Sequence, residues 1–189
     1  MNFLNHILKL NRGYIYLLIA LAVAVPLLHP FKLPLKTIGE SSRGMYQAIE
    51  ALPPGSRILV SMDFDPASKP ECYPMAQALI RHAFARNHKV YVMGLWETGI
   101  SMSEQLISRL GKEANKKYGT DYLYLGWTVG GFLVVMNMAQ EIKQAFPKDY
   151  YRTPIDDYKK LPMMEGVRTL RDIQFVFSAA AGYPGIEDW

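Results

Sequence analysis

Residues 57–82 read RILVSMDFDPASKPECYPMAQALIRH, an apolar run, an acidic turn and an amphipathic run in immediate succession. Arg57 to Met62 is rich in β-branched and long apolar side chains and predicts a strand, whereas the stretch from Pro74 to about Arg86 has helical spacing with proline at the first-turn position. The same alternation recurs downstream. Lys89 to Leu95 predicts a second strand, followed by a helix capped by Ser101 or Ser103 and reaching about Lys117. Asp121 to Leu125 predicts a third strand, running through Gly126-Trp127-Thr128-Val129-Gly130-Gly131 into an apolar helix that ends before Pro147. Ile173 to Ser178 predicts a fourth. Strands alternating with helices indicate an α/β fold, here three-layer and Rossmann-like, with a mostly parallel sheet of four or more strands.

Two stretches flank this pattern. Upstream, Ser41 or Ser42 can cap a short helix reaching about Leu52, which Pro53-Pro54-Gly55 stops. Within the longer excursion 147–172, Thr153-Pro154 reads as a cap and first turn, and Pro162 to Leu170 as a short helix.

The chain has 189 residues, half of them hydrophobic and a fifth charged, with one cysteine. These values exclude a disordered chain, a disulfide framework and a cysteine-rich zinc module. The net charge is +4, but it is unevenly placed. Residues 1–36 hold Lys9, Arg12, Lys32 and Lys36 without an acid, and residues 37–189 hold 17 bases against 17 acids. A domain with no net charge is a poor nucleic-acid binder, so no nucleic-acid partner is expected.

The excess charge brackets GYIYLLIALAVAVPLLHPF, residues 13–31, which carry no formal charge. As a helix, 19 residues extend roughly 28 Å, close to a bilayer core. The expected organisation is therefore a tail over 1–12, one N-terminal transmembrane helix over 13–31, a linker over 32–40 and an α/β domain over 41–189. Lys9, Arg12, Lys32 and Lys36 flank the anchor, and the lipid bilayer is the first expected partner. A cleaved signal peptide ending near Ala22-Val23-Ala24 and a buried core helix are the competing readings. The flanking charges tie, so they do not orient the span; a short tail before a single span favours an extracytoplasmic domain.

In an open parallel sheet the ligand site lies beyond the C-terminal strand ends, so candidate residues are sought there. Asp63 and Asp65 end the first strand as D-x-D, a pattern that can bind Mg²⁺, although Asp65 before Pro66 can equally cap the next helix. Glu97 follows the second strand beside Trp96. After the third, Gly126, Gly130 and Gly131 can cradle a phosphate with backbone N–H groups, or serve close packing of the helix on the sheet. Ser178 ends the fourth strand, near Glu187 and Asp188. A Ser–His pair is not expected, because His82 and His88 fall away from the strand ends. Cys72 near a helix start can have a lowered pKa or be a small core residue. Lys112, Lys116 and Lys117 read as a solvated helix end, and the ten methionines and twelve tyrosines as scattered packing residues.

Residues 57–82, with LGWTVGG, LPMMEGV and SAAAGYPGIEDW, resemble a functionally uncharacterised group of prokaryotic membrane-anchored Rossmann-like α/β proteins. The resemblance covers most of residues 10–189 and implies the anchor and the fold, but no activity and no catalytic residue. In that group the chain continues with further α/β sequence and a second hydrophobic segment, which implies a sheet edge in need of cover. The leading expectation is a structural or interaction subunit of a membrane complex, with a protein partner. The alternative is a membrane-tethered enzyme or sensor that binds Mg²⁺ and a phosphorylated or nucleotide ligand through the strand-end residues.

Overall fold

The computed structural model describes residues 11–29 and 38–189. The chain divides into two compact units, Met1–Arg43 and Gly44–Trp189. In the first, helix α1 spans Arg12–Leu28, and the Asn11 side chain caps it by accepting the Gly13 N–H at 2.9 Å. It buries none of its side chains. At 17 residues it extends about 26 Å. No helix among the described residues is long and apolar enough to cross a membrane. The expected transmembrane helix over 13–31 is thus not supported among the described residues: α1 ends at Leu28, and Lys9, Lys32 and Lys36 lie outside the described residues.

Helix α2 spans Glu40–Glu50, starting at Glu40 rather than at a serine cap. The following strands and helices alternate: β1 (Arg57–Asp63), α3 (Lys69–Ala85), β2 (Lys89–Gly94), α4 (Ile100–Glu113), β3 (Tyr122–Trp127), α5 (Phe132–Gln140), α6 (Ile142–Ala145) and β4 (Phe175–Ala180). The four strands form one all-parallel sheet in the order β3-β2-β1-β4. The α/β Rossmann-like fold expected from the alternation is therefore the fold observed, and strand order reverses between β1 and β4.

Period-two alternation along β1 builds both cores. Ile58, Val60, Met62 and then Phe64 enter the layer under α3 and α4; Leu59 enters the opposite layer, which α5, α6 and the 147–173 excursion cover.

Several boundaries differ from expectation for local reasons. Helix α3 begins five residues earlier than Pro74, with Pro70 in its first turn, and absorbs Pro74 in its interior. Helix α4 starts after a 3₁₀ turn at Glu97–Gly99, and Ser103 lies inside it, its hydroxyl donating to the Gly99 carbonyl. It closes at Glu113, where Asn115 adopts a positive φ, well before Lys117. The apolar helix after β3 breaks at Glu141, whose backbone is extended, so it forms α5 and α6 instead of one element.

The excursion differs more. Thr153 is not a helix cap: its N–H donates to Asp149 Oδ1 at 2.7 Å, and Pro154 bridges to Lys148. Pro162–Met164 and Leu170–Asp172 are separate 3₁₀ turns rather than one helix. The tyrosines there are clustered, not scattered. Tyr124, Tyr150, Tyr151, Tyr118 and Tyr122 form a chain of ring contacts at 4.8 to 5.3 Å, and Tyr118 donates to Asp149 Oδ2 at 2.7 Å.

His88, between α3 and β2, is 2% exposed, and among the described residues neither ring nitrogen finds a hydrogen-bond partner. Burial depresses its pKa below 6.5, opposed by the facing Ile49 carbonyl and reinforced by His82 and Arg86. The unfolded chain therefore takes up this proton first, and stability is lost as pH falls below about 6.5. His88→Leu is expected to be more stable than the native chain, with a gap that widens between pH 7 and pH 5; thermal melts across that range check it, and a gap independent of pH rejects it.

Candidate functional site

The order reversal places the C-terminal ends of β1 and β4 side by side, with Ser61 paired to Ser178 and Asp63 to Ala180. Ser61 and Asp63 share the face that Leu59 occupies lower down, so alternation stacks two polar side chains at the top of an otherwise apolar layer. Both are fully buried.

Asp63 joins three elements. Its Oδ1 accepts the Leu95 N–H at 2.6 Å, from the turn after β2, and its Oδ2 accepts the Ser61 hydroxyl at 2.6 Å. The Ser178 hydroxyl makes a longer contact with Oδ2 at 3.5 Å. Burial pushes the carboxyl up to about 6, against the lowering effect of the Ser61, Leu95 and Ser178 hydrogen bonds, and the nearby Asp188 charge adds to the rise.

Asp65 does not join this group. It serves as the helix-turn acceptor instead: Oδ1 takes the Ser68 N–H at 2.9 Å and the Ser68 hydroxyl at 2.5 Å, and these bonds hold its carboxyl below the usual range. The D-x-D pair is thus split, because the strand ends at Asp63 and the chain turns at Pro66. Among the described residues, no group of three or more His, Cys, Asp and Glu side chains is arranged to hold a metal ion. Glu97 is exposed at the start of its 3₁₀ turn, while the adjoining Trp96 donates through Nε1 to the Pro184 carbonyl at 2.7 Å.

The glycine loop has its own geometry. Gly126 sits at a shift of register between β2 and β3 with φ of +95°, which favours glycine, and Trp127 Nε1 donates to the Leu95 carbonyl at 3.2 Å. Gly131 has φ of +52°, and a Cβ there would lie 3.2 Å from the Pro184 ring. The glycines at 130 and 131 therefore turn the chain into α5 and let the C-terminal segment approach. No lysine or arginine occurs between Leu125 and Ile142.

Cys72 lines a cavity of about 360 Å³ with Ser68, Glu71, Met75, Ala180 and Ala181. Burial pushes its thiol up, the opposite of activation by a helix dipole, with the Glu71 and Asp65 charges adding to the effect. His82 and His88 lie at the other end of the domain: His82 Nε2 contacts Glu50 Oε1 at 2.6 Å, and Arg86 also pairs with Glu50.

No protein-family model, curated protein or solved structure matches this chain. The site must be read from its own chemistry. Sequence reasoning located Asp63 and Ser178 but missed Ser61 and the Leu95 N–H. The Ser61 signal was present, two residues before Asp63 and on the same strand face; the Leu95 donor belongs to another strand and has no mark in the sequence. Together these groups form a buried, internally paired polar knot that ties β1 to β4 and to the turn after β2.

Proposed function

We propose that the chain is held in a bilayer by the apolar segment 13–31 and carries its α/β domain as a structural or interaction subunit of a membrane complex. The observation that carries the anchor is α1 itself: from Tyr14 to Leu28 it is apolar apart from two tyrosine hydroxyls, and it buries nothing. Such a surface has no compensating partner in water. Arg12 at its start, with Lys9, Lys32 and Lys36 in the sequence, supplies charges suited to the headgroup region. An extracytoplasmic domain remains the favoured orientation.

For the domain, β4 ends the sheet, and its outer edge is unpaired among the described residues. Its six residues, FVFSAA, include no charge and no proline, the devices that blunt exposed edges. The Mg²⁺ or phosphorylated-ligand alternative draws less support, since Asp63 and Asp65 already have protein partners and the glycine loop has no cation.

Alkaline carbonate extraction of native membranes tests the anchor. The chain is expected in the pellet. Leu17→Glu with Leu21→Glu should move it to the supernatant, as each charge at mid-bilayer costs about 3 kcal/mol. Mild detergent extraction tests the subunit role: a defined complex is expected, and a lone monomer would reject it.

A further inference from the structure

The break between α5 and α6 falls at Glu141 although neither proline nor glycine lies near it, and a cavity of about 320 Å³ borders this residue. That volume lies within the ordinary range of small-molecule sites. Ile155, Met164 and Val167, all buried, form its apolar wall. Backbone bonds fix the wall in place. The Ile142 N–H donates to the Arg168 carbonyl at 2.7 Å, which ties α6 to the excursion, and the Val167 N–H donates to the Met164 carbonyl at 3.0 Å.

Four charged residues border the same cavity. Lys143 and Asp156 pair with each other and so link α6 to the excursion. Arg168 and Glu141 have no such partner: among the described residues neither side chain makes a hydrogen bond or an ion pair within bonding distance. The Glu141 carboxylate is close enough to add to the rise in the Lys143 pKa, after the larger effect of Asp156. Two acids and two bases leave the rim without net charge, so a ligand with charge of one sign meets as much repulsion as attraction. A small molecule that carries both charges on neighbouring atoms meets a partner for each. The apolar wall adds a requirement for a hydrocarbon group beside those charges.

We propose that this cavity binds a free α-amino acid with an apolar side chain. Its carboxylate pairs with the Arg168 guanidinium, whose fork of donors suits a carboxylate, its ammonium pairs with the Glu141 carboxylate, and its side chain lies on Ile155, Met164 and Val167. The site shares no residue with the Asp63 knot and does not rest on the membrane-complex reading.

Calorimetry and thermal melts of the full chain in mild detergent test it with four probes: L-leucine, glycine, isocaproate, which is leucine without its amine, and isoamylamine, which is leucine without its carboxylate. L-leucine is expected to bind saturably and to raise the melting temperature. Glycine, isocaproate and isoamylamine should each bind at least about tenfold more weakly. Arg168→Gln and Glu141→Gln should each weaken L-leucine binding by about tenfold or more while leaving the ligand-free melting temperature unchanged, because neither side chain has a partner to lose. Glu187→Gln, at a different cavity, should leave L-leucine binding as it is. Absence of saturable L-leucine binding would overturn the proposal. So would isocaproate or isoamylamine binding as tightly as L-leucine, or unchanged binding in Arg168→Gln or Glu141→Gln.

Discussion

Phe64→Ala is expected to destabilise the domain by about 3–5 kcal/mol. Phe64 is fully buried and packs in the core layer beneath α3 and α4. It follows directly on β1, so its removal leaves a cavity under the start of α3, where Pro66 and the Asp65–Ser68 turn leave little freedom to collapse. Denaturant titration should show a lowered midpoint with an unchanged slope, since the fold itself persists. A loss below about 1 kcal/mol would mean that Phe64 is not the core residue described above.

Asp63→Asn should act in the opposite direction and should depend on pH. Because its carboxyl is raised from 3.8 to about 6, the native state binds this proton more tightly than the unfolded chain does. The sign follows: below pH 3.8 both states are protonated and Asp63 is neutral in each, while above pH 6 the native state bears a buried charge that the unfolded chain carries in water. Stability therefore declines between those values, by up to about 3 kcal/mol. Asparagine removes the charge, and its Oδ1 can still accept the Leu95 N–H while its amide donates to the Ser61 hydroxyl. The variant is expected to exceed the native chain by one to three kcal/mol, as an order of magnitude, at pH 8 and to match it below pH 4. Lower stability than the native chain at pH 8 would reject this account. A buried carboxylate held at such a cost, at the order reversal of the sheet, is the group in this domain whose ionisation the fold opposes at neutral pH.

The two acids illustrate how far sequence reading reaches. The spacing D-x-D suggested a shared face, which holds for an extended strand, but the chain turns immediately after Phe64 and sends the carboxylates to different partners. Asp65 could be assigned as a turn acceptor from Pro66 and Ser68 alone, because its bonds are local. Asp63 could not, because its strongest backbone partner, Leu95, is 32 positions away. Gly130 and Gly131 were legible as a loop between strand and helix, whereas Gly126, expected in that loop, lies inside β3. Which chain segment comes close to Gly131 depended on Pro184, in the C-terminal segment. Helix α1 was legible as an apolar helix, with its end placed by the backbone at Leu28 rather than by the length of the uncharged run.

By itself the sequence determined the alternation of strands and helices, the parallel α/β class, the confinement of excess charge to residues 1–36 and the segregation of apolar side chains. Each of these follows from local periodicity or composition, which neighbouring residues encode directly. Tertiary structure alone decided that β4 lies beside β1, that Ser61, Asp63 and the Leu95 N–H meet in one buried knot, and that Pro184 comes to lie against Gly131. Those arrangements arise where elements distant in the chain pack together, and the geometry of that packing is a property of the sheet order rather than of any one stretch.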